Sequence, residues 1–91
     1  MTYDDLQHAR RVLGLDERAS LKEIKSTYRR LAKRHHPDTS RTEELEAIRQ
    51  LNEAYTVLMD YVTGYRFSFA EGEFYAQRLE ERVWKQFEGL M

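Results

Sequence analysis

The run from Ser20 to His35 constrains the fold of this chain more than any other segment. Six side chains recur there every three or four residues and fall within about a 100° arc of a helix, namely Leu21, Ile24, Tyr28, Leu31, Ala32 and His35. Ser20 and Glu23 have the spacing of a capping box. Pro37 ends the run, because the residue before a proline is pushed out of the helical region. The pattern predicts a helix over 20–35 with one face in a core.

Two neighbouring segments carry matching helical signals. A short helix is predicted from about Tyr3 to Leu13, with Thr2 and Asp5 as a capping box and Gly14 as its C-terminal stop. A longer helix is predicted over 42–62, started by Ser40 or Thr42, with the apolar stripe Leu45, Ile48, Leu51, Tyr55, Leu58 and Val62. Because the connection after residue 35 is short, the helices over 20–35 and 42–62 should form an antiparallel hairpin.

The segment after Gly64 is rich in aromatic side chains and carries weaker secondary-structure signals than the segments before it. Residues 65–69 alternate aromatic and polar side chains, which predicts an extended stretch lying against the helices. Ser68 and Glu71 can cap a fourth, amphipathic helix reaching about Glu88, with Tyr75, Leu79, Val83 and Phe87 along one stripe. We predict an all-α fold with two parts, residues 1–63 and an aromatic-rich extension, 64–91, packed on the first part or appended to it.

Composition excludes several classes of protein. The 91 residues, 41% of them hydrophobic, are too few for two independent cores and too apolar for a disordered tail. The absence of cysteine excludes disulfides, zinc ribbons and thiol catalysis. No apolar run approaches the roughly 18–20 residues of a membrane span, and the acidic N-terminus is unlike a signal peptide. We expect a cytoplasmic protein that is not an enzyme and has no metal, no cofactor and no membrane contact.

The charge is unevenly distributed although the net charge is only −1. Between Ser20 and His35 the single acidic residue Glu23 accompanies six basic residues: Lys22, Lys25, Arg29, Arg30, Lys33 and Arg34. Most of these lie on the helix side opposite the apolar arc. A solvated helix exterior would explain such a stripe in an arbitrary protein. Here it leads directly to His36-Pro37-Asp38, between two opposed amphipathic helices, which favours a binding surface.

The tripeptide and its surroundings resemble the J domain of DnaJ-type co-chaperones. The resemblance is carried by His36-Pro37-Asp38, by Tyr28-Arg29-Arg30-Leu31-Ala32 before it and by Asn52-Glu53-Ala54-Tyr55 after it, and it covers about residues 9–60. It implies a protein that binds a heat-shock ATPase of the DnaK class and stimulates its ATP hydrolysis, thereby aiding protein folding. The ATPase chemistry belongs to the partner.

Residue roles follow from the resemblance position by position. It implies that Lys25, Arg29 and Arg30, with Lys22 and Lys33 on the same face, dock on an acidic surface of the partner, and that His36, Pro37 and Asp38 form the triggering loop. Independent physical arguments agree, because a proline restricts the loop and a carboxylate such as that of Asp38 can pair bidentately with an arginine. His35 is interpreted as a packing residue.

Alternative functions remain open at this stage. Thr39 and Ser40 stand where the family usually has a basic residue and an asparagine, which leaves room for a J-like interaction scaffold without ATPase stimulation. A helical nucleic-acid-binding domain could use the same basic helix, but the net charge of −1 argues against it. The aromatic extension is expected to pack over the hairpin, or alternatively to contact a client or an adaptor.

Overall fold

The computed structural model describes residues 1–35 and 42–90 of the chain, apart from the side chains of Glu81 and of residues 84–90. Four helices follow one another: α1 (Tyr3–Leu13), α2 (Leu21–Arg34), α3 (Thr42–Thr63) and α4 (Glu71–Leu90). The described residues contain no strand, and the all-α prediction is confirmed. The predicted helix bounds hold to within a few residues. The predicted break at Pro37 lies outside the described residues.

Local side-chain hydrogen bonds define where α1 and α2 begin. Thr2 accepts from the Asp5 N–H at 3.1 Å and its own N–H donates to the Asp5 carboxylate at 2.9 Å, while Ser20 and Glu23 repeat the same exchange. The hydrogen bond from the Thr2 backbone, aided by one from the Thr2 side chain, holds the pKa of Asp5 below its ordinary value. Both capping-box predictions are confirmed.

Gly14 ends α1 in the left-handed conformation that glycine adopts without steric cost, with φ of +69°. Its N–H donates to the Arg11 carbonyl and the Leu15 N–H donates to the Arg10 carbonyl, both at 3.0 Å. These two bonds make a Schellman motif. The chain therefore turns sharply toward α2, as the glycine predicts.

The core lies where α1 crosses the C-terminal part of α3, with α2 packed on both. Its buried members are Ala9, Leu13, Ile24, Leu51, Ala54 and Leu58. α1 and α3 share the most extensive interface. Leu45 belongs to the predicted apolar stripe of α3, but its side chain is half exposed because α1 covers later turns of that helix.

α4 begins later than its predicted cap implies. The helix starts at Glu71, so Ser68 lies outside its first turn and accepts instead from the Ala70 N–H at 3.3 Å. Among the described residues, α4 makes no extensive contact with α1, α2 or α3. The described parts of the four helices include none that is long and apolar enough to span a bilayer.

Candidate functional site

The outer side of α2 presents the basic residues that the sequence singles out. We call Lys22, Lys25, Arg29, Arg30 and Lys33 the basic face, and all five are exposed. The opposite side of the helix buries Ile24 and packs Leu31 and Ala32 against the core. Among the side chains that the structure describes, no ion pair to a carboxylate involves the basic face. The five cations therefore face solvent, while the opposite side of α2 is packed against the core.

A polar and aromatic contact fixes α2 to α3. The rings of Tyr28 and Tyr55 stack with centroids 4.0 Å apart and planes inclined by 13°. The Tyr28 hydroxyl donates to the Asn52 side-chain oxygen at 2.6 Å. Glu53 lies 4.0 Å from Arg49 of its own helix. These contacts give Tyr28 and Asn52 structural roles at the interface of α2 and α3.

Replacing Tyr28 by phenylalanine should lower the free energy of unfolding by about 0.5–1.5 kcal/mol, because the ring stack remains and one hydrogen bond is lost. Chemical denaturation followed by circular dichroism measures this change. Asn52→Ala should have a similar effect, and the double variant should cost less than the sum of the two because both remove the same bond. Fully additive losses of unfolding free energy would contradict the hydrogen bond between Tyr28 and Asn52.

The tripeptide His36, Pro37 and Asp38 lies outside the described residues, as do Thr39, Ser40 and Arg41. Its two flanks are described. His35 is the C-cap of α2, and α3 begins at Thr42. The position that would cap α3 is residue 41, so Thr42 is the first helical residue rather than the cap.

His35 makes a polar contact that the sequence did not predict. Its Nδ1 lies 2.9 Å from the Glu44 carboxylate, and both side chains are about one-third exposed. His35 is about two-thirds covered, as its interpretation as a packing residue implies, and it makes this polar contact in addition. The His35 N–H still donates to the Leu31 carbonyl at 3.3 Å, and with φ of −106° and ψ of 79° the chain leaves the helical path after this residue.

The aromatic side chains of the extension are exposed where they are described. Phe67 is 70% exposed and Phe69 is 97% exposed, and Tyr61, Tyr65, Phe74 and Tyr75 are each about half exposed. Several contact one another edge to face, including Tyr61 with Tyr65 and Tyr65 with Phe67. Tyr61 belongs to α3, so its contact with Tyr65 joins the extension to the hairpin. The expectation that the aromatic residues of the extension pack over the hairpin is wrong for Phe67, Phe69, Phe74 and Tyr75. The side chains of Trp84 and Phe87 lie outside the described residues.

An exposed ion pair joins α4 to the loop before α2. Arg18 donates to the Glu80 carboxylate at 2.6 Å, with the two side chains 75% and 42% exposed. Exposed pairs of this kind contribute roughly 0–1 kcal/mol. The division of the chain into residues 1–63 and 64–91 stays a prediction.

Comparisons with known proteins identify the family of this chain. The family model for the DnaJ domain matches residues 11–63. The chain is 55% identical over 49 residues to the chaperone protein DnaJ of Mycoplasmopsis pulmonis, a match that covers 53% of this chain and 13% of that protein. It is 54% identical over 50 residues to the DnaJ chaperones of Bacillus mycoides and Bacillus cereus, covering 54% of this chain and 14% of each relative. No solved structure matches significantly. The chain belongs to the DnaJ-domain family.

Proposed function

We propose that this protein is a co-chaperone that binds a DnaK-class heat-shock chaperone and stimulates its ATP hydrolysis, aiding protein folding. The observation that carries the proposal is the exposed basic face of α2, a helix that ends at Arg34, two residues before His36-Pro37-Asp38, in a chain of the DnaJ-domain family. In this proposal the chain contributes binding groups and the partner contributes the ATPase chemistry.

Electrostatics supports the basic face as the docking surface. Its five cations lie on one side of α2 in a protein whose net charge is only −1, so the positive charge is local rather than general. A basic face opposite an acidic surface increases the association rate and orients the two proteins. Since exposed charges are screened over about 8 Å at physiological ionic strength, added salt should weaken the complex.

The tripeptide is proposed as the group that acts once docking has occurred. Pro37 restricts φ and so lowers the conformational entropy that docking must remove. The Asp38 carboxylate can accept two parallel hydrogen bonds from an arginine of the partner. His36 directly follows the C-cap of α2, so the tripeptide is next in the chain after the helix that carries the basic face.

Single-turnover ATP hydrolysis by a purified DnaK-class chaperone tests the proposal. The rate should increase with the concentration of this protein and saturate, and the half-saturating concentration should increase with added salt. Lysozyme, a basic helical protein, serves as the control for nonspecific charge. A folded sample that stimulates none of several DnaK-class chaperones would overturn the proposal and favour an interaction scaffold. Retention of duplex DNA in a gel shift would favour the nucleic-acid alternative.

The exposed aromatic residues are the proposed contact for a client or an adaptor. Phe67 and Phe69 project from a segment without regular structure, and Phe74 and Tyr75 from the first turns of α4. Exposed aromatic clusters are typical of protein interaction sites. In the same assay, removal of residues 65–91 should leave ATPase stimulation unchanged while binding of an unfolded model protein is lost. Unchanged binding would contradict this role.

A further inference from the structure

The contact between His35 and Glu44 joins the two helices that flank the tripeptide. An ionised carboxylate only accepts hydrogen bonds, so with Glu44 ionised the 2.9 Å contact uses the His35 tautomer that carries its proton on Nδ1. Each side chain is about two-thirds covered. The contact is therefore oriented and partly shielded from water.

The contact between His35 and Glu44 lies at the two ends of the segment that contains the tripeptide. His35 is the C-cap of α2 and Glu44 is the third residue of α3. The segment 36–41 therefore begins directly after His35, and two residues separate its end from Glu44. The other hydrogen bond between α2 and α3 in the described chain joins Tyr28 to Asn52. Tyr28 lies seven residues before His35, about 10 Å along the helix axis.

We propose that His35 and Glu44 are positioning residues that hold the ends of α2 and α3 at a fixed separation and thereby pre-organise the tripeptide segment for its partner. This inference rests on the proposed function. Holding both ends of a short connection limits the conformations that it can adopt. The apparent dissociation constant equals the intrinsic dissociation constant divided by the fraction of protein molecules that are in the binding-competent conformation. Loss of the contact therefore weakens apparent affinity and leaves the reaction at saturation unchanged.

Titrations with the variants His35→Ala and Glu44→Ala test this assignment. In single-turnover ATP hydrolysis, the half-saturating concentration of each variant should increase about two- to fivefold, in keeping with a partly exposed pair, while the maximal stimulated rate stays at the wild-type value. His35→Asn should restore most of the affinity, because its side-chain amide keeps a donor at the position of Nδ1. Glu46→Ala removes the same charge from an exposed position of α3 and should change nothing.

A readout on the free protein makes the test independent of the chaperone. The amide NMR signals of residues 36–41 should shift in His35→Ala and Glu44→Ala, return toward wild type in His35→Asn, and stay in place in Glu46→Ala. Unchanged signals would overturn the positioning role even if no chaperone responds to the wild type. A lower maximal rate, or a lower melting temperature with unchanged half-saturation, would overturn it as well. Absence of stimulation by the wild type contradicts only the proposed function.

Discussion

The His36→Gln variant should lose nearly all stimulation of ATP hydrolysis and keep its fold. Glutamine is polar and similar in reach, but it has no ring and cannot become a cation near neutral pH. Residues at the centre of an interface carry most of its energy, so losing the ring should reduce the stimulated rate to within about twofold of the unstimulated one. The melting temperature of the variant should equal that of the wild type, because the residues of the described core are unchanged.

His8→Gln is the matched control for this variant. His8 is exposed on α1 and lies in none of the contacts that join α2 to α3. The same chemical change at this position should leave both the half-saturating concentration and the maximal rate at wild-type values. Stimulation by His36→Gln equal to that of the wild type would show that the tripeptide has no role, whatever the basic face does.

The elements that the sequence predicts well are those fixed by contacts a few residues apart. The capping boxes at Thr2 and Ser20 and the stop at Gly14 each involve groups within five residues of one another, so spacing alone predicts them. The hairpin of α2 and α3 follows from two apolar stripes and a short connection. The basic face follows from the same helical period, because cations opposite a buried stripe must face solvent.

The features that the sequence does not predict depend on how separate helices are placed. His35 is the last position of the apolar arc, and the pattern of α2 alone does not show that a carboxylate of α3 lies beside its ring. The pairing with Glu44 also needs the separation of two helix ends, which no local pattern contains. The antiparallel hairpin offered one usable signal, since it brings residue 35 close to the first turn of α3.

The aromatic extension shows a second limit of sequence patterns. A stripe such as Tyr75, Leu79 and Val83 indicates that a helix has an apolar face, but it does not indicate what covers that face. The core of the described chain is complete with Ala9, Leu13, Ile24, Leu51, Ala54 and Leu58, and α4 adds no buried residue to it. The half-exposed stripe of α4 therefore could not be assigned to the core from periodicity alone.

Reversing charge on the basic face should separate docking from triggering. The double variant Lys25→Glu, Arg29→Glu should raise the half-saturating concentration roughly 10- to 100-fold, because like charges brought together at an interface cost several kcal/mol. The helix itself should tolerate the change, since Lys25 and Arg29 are already a like-charge pair four residues apart and the new pair is equivalent. Circular dichroism should confirm an unchanged helix content.

Arg66→Glu, Arg82→Glu is the matched control, because it makes the same change in net charge at two exposed positions outside α2. An equal increase of the half-saturating concentration in both double variants would mean that overall charge, and not the basic face, determines binding. If the face docks and the tripeptide triggers, the α2 variant should still reach the wild-type maximal rate at high concentration, because His36, Pro37 and Asp38 are unchanged. His36→Gln should not stimulate ATP hydrolysis at any concentration. These two opposite responses can arise together only if docking and triggering reside in different residues.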